Sequence, residues 1–206
     1  MINNHLVLVS GKSSSGKSAS LLAMDKPEGV MYLNCENGKK LPFKSTFKEL
    51  TVTDPTQVYQ AFSEAEKMKD IHTIVIDTLT YLMDMYESTK VLTSTNTMQA
   101  WGQYAQYMKQ LMSQIVAKST KNVVFLAHTS DVLNEAEMVN ETMVKVKGSL
   151  MNQGIESFFT CVISTKKIAL GKLDDKVAKS PLFVISPEDK ANGFKYLIPK
   201  LGYLSN

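Results

Sequence analysis

Arginine is missing from this 206-residue chain; all 23 of its basic residues are lysine. Lysine carries a compact, strongly hydrated charge and lacks the planar fork that grips a phosphate through two parallel hydrogen bonds. Bidentate clamping of an anion by a guanidinium is thereby excluded, and a step that ordinarily uses arginine must use lysine or do without. Cysteine is nearly absent as well. Cys35 and Cys161 stand far apart and outside metal-ligand spacing, which argues against a disulfide framework or a zinc site and leaves both as small buried hydrophobes. No apolar run approaches the roughly 20 residues that cross a bilayer, and no apolar signal segment opens the chain. A soluble, cytoplasmic protein without membrane association is expected. The net charge of +3 is too small to announce a polyanionic partner. With no internal repeat and no low-complexity linker, residues 1–206 read as a single domain large enough to bury a substantial core.

The informative residues that are present begin near the amino terminus. Gly11-Lys12-Ser13-Ser14-Ser15-Gly16-Lys17-Ser18 has the form G-x-x-x-x-G-K-[ST] and directly follows the apolar run Leu6-Val7-Leu8-Val9. Glycines let such a loop fold tightly around an anion, its backbone N–H groups face the phosphates, and a following helix adds its positive end. Gly11 to Ser18 are therefore expected to bind a nucleoside triphosphate, with Lys17 on the β- and γ-phosphates and the Ser18 hydroxyl on Mg²⁺.

Alternating strands and helices follow. Strands are expected at His5–Ser10, Val30–Cys35, Leu50–Val52, Thr73–Asp77, Asn122–His128 and Thr160–Thr165. Helices are expected at Lys17–Met24, from Asp54-Pro55 to Lys69, at Leu79–Thr89, and at Thr97–Lys118, where Trp101, Tyr104, Met108, Leu111, Met112 and Ile115 form one apolar stripe. Residues 131–148 are polar and without apolar periodicity, so a mobile segment is expected there. Leu150–Phe159 reads as a short helix, and Leu182–Ser186 with Phe194–Ile198 as a terminal hairpin. The fold class is α/β: a P-loop NTPase with a mostly parallel central sheet flanked by helices and a C-terminal antiparallel hairpin.

Ligands of open α/β sheets gather outside the carboxyl ends of the parallel strands. Asp77 ends one such strand and suits Mg²⁺, the alternative being an ordinary helix cap. Glu36 follows the second strand, where it could take a proton from an attacking water; otherwise it is a solvated carboxylate. His128 ends a third strand, placed to touch the γ-phosphate or the water, or else to serve as a structural histidine.

The loop, Leu33-Asn34-Cys35-Glu36-Asn37-Gly38, Ile74-Val75-Ile76-Asp77-Thr78, Trp101-Gly102, Phe125-Leu126-Ala127-His128-Thr129 and Lys147-Gly148-Ser149-Leu150 together resemble the phage-type AAA-domain nucleotide-binding proteins, small RecA-like ATPases. The resemblance covers residues 5–200. It implies a RecA/RadA-like core acting in host-cell cytoplasm as a phage recombinase, one that binds single-stranded DNA and promotes annealing with ATP and Mg²⁺. It further implies a homo-oligomeric ring or filament, with a single-strand-binding protein as a candidate partner. The DNA-contacting position of such cores falls on 134–153, with Lys145, Lys147 and Gly148. Lys166 and Lys167 are candidates to act on a neighbouring subunit's nucleotide in place of the missing arginine, with Lys195 and Lys200 as competitors and a solvated lysine face as the alternative. Two other readings stay open: a P-loop ATPase that regulates a protein partner without DNA, and a small-molecule kinase, which the absence of arginine disfavours.

Overall fold

The computed structural model describes residues 3–134, 138–148 and 154–165. Seven strands make up the sheet: β1 (Leu6–Gly11), β2 (Val30–Asn34), β3 (Lys48–Thr51), β4 (Thr73–Asp77), β5 (Asn122–Asn134), β6 (Val139–Val144) and β7 (Cys161–Thr165). The order is β3-β2-β4-β5-β1-β7, all parallel, while β6 pairs antiparallel with the far half of β5. Parallel strands are covered on both faces and so read as continuous apolar runs, which is why β1, β4 and the first half of β5 were legible.

Alternation along each strand divides the core in two. On one face Leu8, Leu33, Ile74, Ile76, Val123 and Phe125 meet three helices, α1 (Gln57–Lys67), α2 (Leu79–Tyr86) and α3 (Thr97–Gln110), through Phe62, Leu82, Tyr86, Tyr104 and Met108. On the other face Val9, Val30, Tyr32, Val75, Val124 and Leu126 are covered by Leu21 and by Leu41, Phe43 and Phe47. The expected stripe on α3 faces the core: Tyr104 and Met108, with Leu111 and Met112 in the π-helical turn that continues it, are buried, and Trp101 and Ile115 pack against them. Cys35 and Cys161 are both buried. No helix among the described residues is long and apolar enough to cross a membrane.

Strand order sets what lies side by side at the carboxyl edge. Gly11 at the end of β1 is level with His128 on β5, and Asp77 on β4 is level with Leu126 of β5 and Asn34 of β2. His128 is level with the end of β1 and lies two residues, one side-chain repeat, beyond Leu126, the partner of Asp77.

Two elements differ from expectation. The segment after the loop is a six-residue 3₁₀ helix, Ser18–Ala23, rather than a helix over Lys17–Met24. Ser20 Oγ donates to the Lys17 carbonyl at 2.6 Å, local competition of the kind that weakens regular helix, and Asp25-Lys26-Pro27 stops elongation before cooperativity builds. The second departure concerns residues 131–148. Where no regular element was expected, β5 continues six residues past His128 and pairs with β6 from Thr129↔Val144 to Asn134↔Val139. The outer part of these arms is exposed, Asp131 to Leu133 and Asn140 to Thr142, while Val144 at their base is buried in the core, so backbone hydrogen bonds hold the outer part without an alternating apolar signal. Of the short helix expected at Leu150–Phe159, a 3₁₀ turn at Ile155–Phe158 is described; the terminal hairpin at 182–198 lies outside the described residues.

Phe125 has no exposed surface and sits between β4 and β1 at the centre of the larger core. Phe125→Ala should cost about 3–5 kcal/mol in urea unfolding, whereas truncating Leu22, 66% exposed, should change stability little.

Candidate active site

The loop is locked to the sheet before any ligand is considered. Thr165 Oγ1 donates to the Ser10 carbonyl at 3.0 Å and accepts from Ser15 Oγ at 2.6 Å. Gly11 passes beneath this pair so closely that a Cβ would lie 2.2 Å from Thr165 Oγ1 and 2.4 Å from Ser15 Oγ. Only glycine fits. Gly16, at φ 101°, supplies the left-handed step before Lys17.

Lys17 turns back under the loop. Its ammonium donates to the carbonyls of Gly11 and Lys12, both at 2.9 Å, and to His128 Nδ1 at 3.2 Å. Burial pushes its pKa down to about 8, against the attraction of Asp77 and Glu36. With Nδ1 accepting from Lys17, the tautomer that satisfies both partners carries its proton on Nε2, which donates to Glu36 Oε1 at 3.4 Å. Burial, and then the Lys17 charge, hold the imidazole below the usual histidine range. The ring of Tyr81 stands edge-on to it, and the His128 N–H donates to Thr80 Oγ1 at 3.0 Å.

Burial pushes the Glu36 carboxyl up, but the Lys39 ammonium and His128 outweigh it and hold the group below the usual carboxylate range. Asp77 shows the opposite balance: burial raises its pKa despite hydrogen bonds from Tyr32 and Ser18. Its Oδ2 accepts from Tyr32 OH at 2.6 Å and from Ser18 Oγ at 2.9 Å, while Oδ1 is buried without a hydrogen-bond partner. An orphaned carboxylate oxygen beside a serine hydroxyl is the kind of hard oxygen set that suits Mg²⁺. Ser18 and Asp77 fit that ion, which when bound would neutralise charge on phosphate oxygens.

Loop, carboxylates and histidine share one cleft of about 280 Å³, lined by Ser13, Ser14, Gly16, Lys17, Ser18, Tyr32, Glu36, Asp77 and His128, and also by Lys39, Lys40, Leu41 and Pro42. The structure thus brings together Lys17, Ser18, Glu36, Asp77 and His128, four strand ends apart in sequence. Lys12 instead reaches outward to Asp131 on β5, at 2.5 Å.

The residues expected to contact DNA are placed differently from one another. Lys145 is exposed, and its N–H donates to the His128 carbonyl at 2.8 Å. Lys147 is not a free cation: it pairs with Asp84 at 2.6 Å and with Glu87. Gly148 lies against the Trp101 ring. Lys166, Lys167, Lys195 and Lys200 lie outside the described residues.

Sequence reasoning missed Tyr32, Asn34, Lys39 and Thr165. Tyr32 and Asn34 carried a signal, since period-two spacing puts them on one side of β2, with Glu36 two residues past its end. Lys39 follows the turn signal Asn37-Gly38. Thr165 carried none, because its contact spans 150 residues.

The mostly parallel sheet, the glycine loop behind β1 and the carboxylate ending β4 define an α/β P-loop fold for nucleotide binding. The sequence model for the AAA domain matches residues 3–178, and the chain belongs to that family of nucleotide-binding proteins. A search of curated proteins finds no match.

His128 titrates lower in the folded protein than in the unfolded chain, so between the two values the unfolded chain binds more protons and stability rises with pH. Its contribution is complete above about pH 6.5 and is lost as pH falls through the folded value. Urea unfolding should therefore show His128→Gln losing less stability than wild type between about pH 7.5 and pH 5; equal losses would contradict the buried neutral imidazole.

Proposed function

We propose that this protein binds MgATP and hydrolyses it, with Lys17 holding the β- and γ-phosphates and Glu36 taking the proton of the attacking water. The observation that carries this reading is the convergence of Lys17, Ser18, Glu36, Asp77 and His128 on a single cleft. A carboxylate held ionised beside a neutral histidine is a competent base. His128 steers it by donating from Nε2 to Oε1, and the same ring senses the Lys17 charge through Nδ1. A triphosphate that drew Lys17 away would change both contacts.

We further propose that hydrolysis is coupled to single-stranded DNA in a RecA-like manner, in recombination or annealing by assembled copies of the chain. Two contacts support the coupling. The Lys145 N–H is bonded to the His128 carbonyl, and Lys12 of the phosphate loop is paired with Asp131 where β5 leaves the sheet. An anion in the loop competes for Lys12. Exposed Lys145 then offers a backbone-directed phosphate contact, whose affinity falls with salt.

One observation favours a second reading, a protein partner. The stretch 129–144 contains Asp131, Glu135, Glu137 and Glu141 and no lysine, and it exposes Val132, Leu133 and Met138. Such a surface suits a basic, apolar protein better than a polyanion.

Purified protein should turn over ATP only with Mg²⁺, and Lys17→Ala should abolish nucleotide binding in calorimetry. Glu36→Gln should bind ATP normally and hydrolyse it at least about 100-fold more slowly. Single-stranded DNA should raise wild-type turnover at low salt, with Lys145→Glu weakening the response. Active protein indifferent to DNA at every salt concentration would favour the protein-partner reading.

A further inference from the structure

The turn after β2 folds one lysine back over Glu36. The Lys39 N–H donates to the Glu36 carbonyl at 3.0 Å, with Asn37 and Gly38 between them at φ 52° and 75°. Asn34, 1% exposed, grips both ends of this turn: its Oδ1 accepts from the Glu36 N–H at 3.0 Å, and its Nδ2 donates to the Lys39 carbonyl at 2.9 Å. The backbone of the turn is therefore pinned from inside the sheet. The side chain of Lys39 is held only at its tip, where Nζ reaches Glu36 Oε2 at 2.9 Å; that side chain is 71% exposed, against 9% for Glu36. An ion pair so open at one end is weakly held and exchanges partners readily. Lys39 also lines the cleft that contains Lys17, Ser18 and Asp77. The Glu36 hydrogen bond keeps its ammonium above the usual lysine range, so it is charged at neutral pH.

Building on the hydrolytic reading, we propose that Lys39 is a second catalytic lysine, which leaves Glu36 for the terminal phosphate of bound ATP and stabilises the charge gathering there. The exchange puts an ammonium on the transferring group from within the same chain, in a protein that has no arginine to offer. It also frees Glu36 Oε2. The water oxygen bonds to the γ-phosphorus, the bond to the β–γ bridging oxygen breaks with its electron pair remaining on ADP, and the water proton passes to Glu36. Asn34 makes the two events one movement, because it fixes the base and the foot of the lysine to the same strand end.

The test compares wild type with Lys39→Met, Lys39→Arg, Lys40→Met and the remote charge control Lys44→Met. It measures ATP and ADP affinity, single-turnover hydrolysis, and trapping of ADP with aluminium fluoride, a mimic of the transferring phosphoryl group. Lys39→Met should keep ATP and ADP affinity within about threefold, lose about 100-fold or more in hydrolysis, and fail to trap ADP–aluminium fluoride. Lys39→Arg should recover part of both the rate and the trapping, and Lys44→Met should match wild type. Wild-type protein that does not turn over ATP overturns the hydrolytic reading and this proposal with it. An active wild type whose Lys39→Met variant keeps its rate, or loses rate yet traps the mimic as wild type does, overturns the Lys39 assignment alone. So does a loss that falls on Lys40→Met instead.

Discussion

A lysine charge buried under the phosphate loop governs the rest of the site. Lys17 is 5% exposed, and its three described hydrogen-bond partners are neutral: two carbonyls and an imidazole nitrogen. Taking an ammonium out of water is unfavourable unless its protons are satisfied and charges of opposite sign stand near. Here the carboxylates stand near without touching it. The loop curls to supply carbonyls, His128 is held as the neutral acceptor, and the histidine proton is directed to Glu36. The Lys17 charge is thus satisfied by dipoles rather than by a direct ion pair.

The order of the strands turns this local arrangement into a connected one. With β5 between β1 and β4, the strand that ends in His128 is hydrogen-bonded to the loop strand on one side and to the Asp77 strand on the other. That strand does not stop at the cleft. It carries on into the arm paired with β6, whose exit residue Lys145 returns to the His128 carbonyl. Lys147 then ties the same exit to α2, which starts two residues after Asp77, through Asp84, and to the turn that follows α2 through Glu87. Backbone continuity and ion pairs thus join the nucleotide cleft to the outermost part of the described fold. With no arginine in the chain, the side-chain cations that line the cleft are Lys17, Lys39 and Lys40, each a point charge.

Much of the scaffold was readable because its physics is local or periodic. Apolar runs marked β1, β2, β4 and the inner half of β5, and three- and four-residue spacing marked α3. The outer half of β5 and most of its partner β6 were not readable, since strand segments exposed to solvent obey no apolar period and draw their order from backbone pairing between the two strands. The 3₁₀ turn after the loop was obscured for a different reason: the serines at 18 and 20 are acceptable in a helix by pattern, and only the Ser20 bond to the Lys17 carbonyl reveals the competition.

The amino-acid sequence by itself determined the loop, the strands behind the catalytic candidates, and the chemical types available: lysine without arginine, one carboxylate at each of two strand ends, one histidine at a third. These follow from residue identity and short-range spacing. The tertiary structure alone decided that Tyr32 and Ser18 share one oxygen of Asp77 and leave the other bare, that His128 bridges Lys17 and Glu36, and that Thr165 seals the loop. Those relations join residues from 45 to 150 positions apart. Sheet order is what brings them within hydrogen-bond reach, and sheet order is a property of how the whole chain packs.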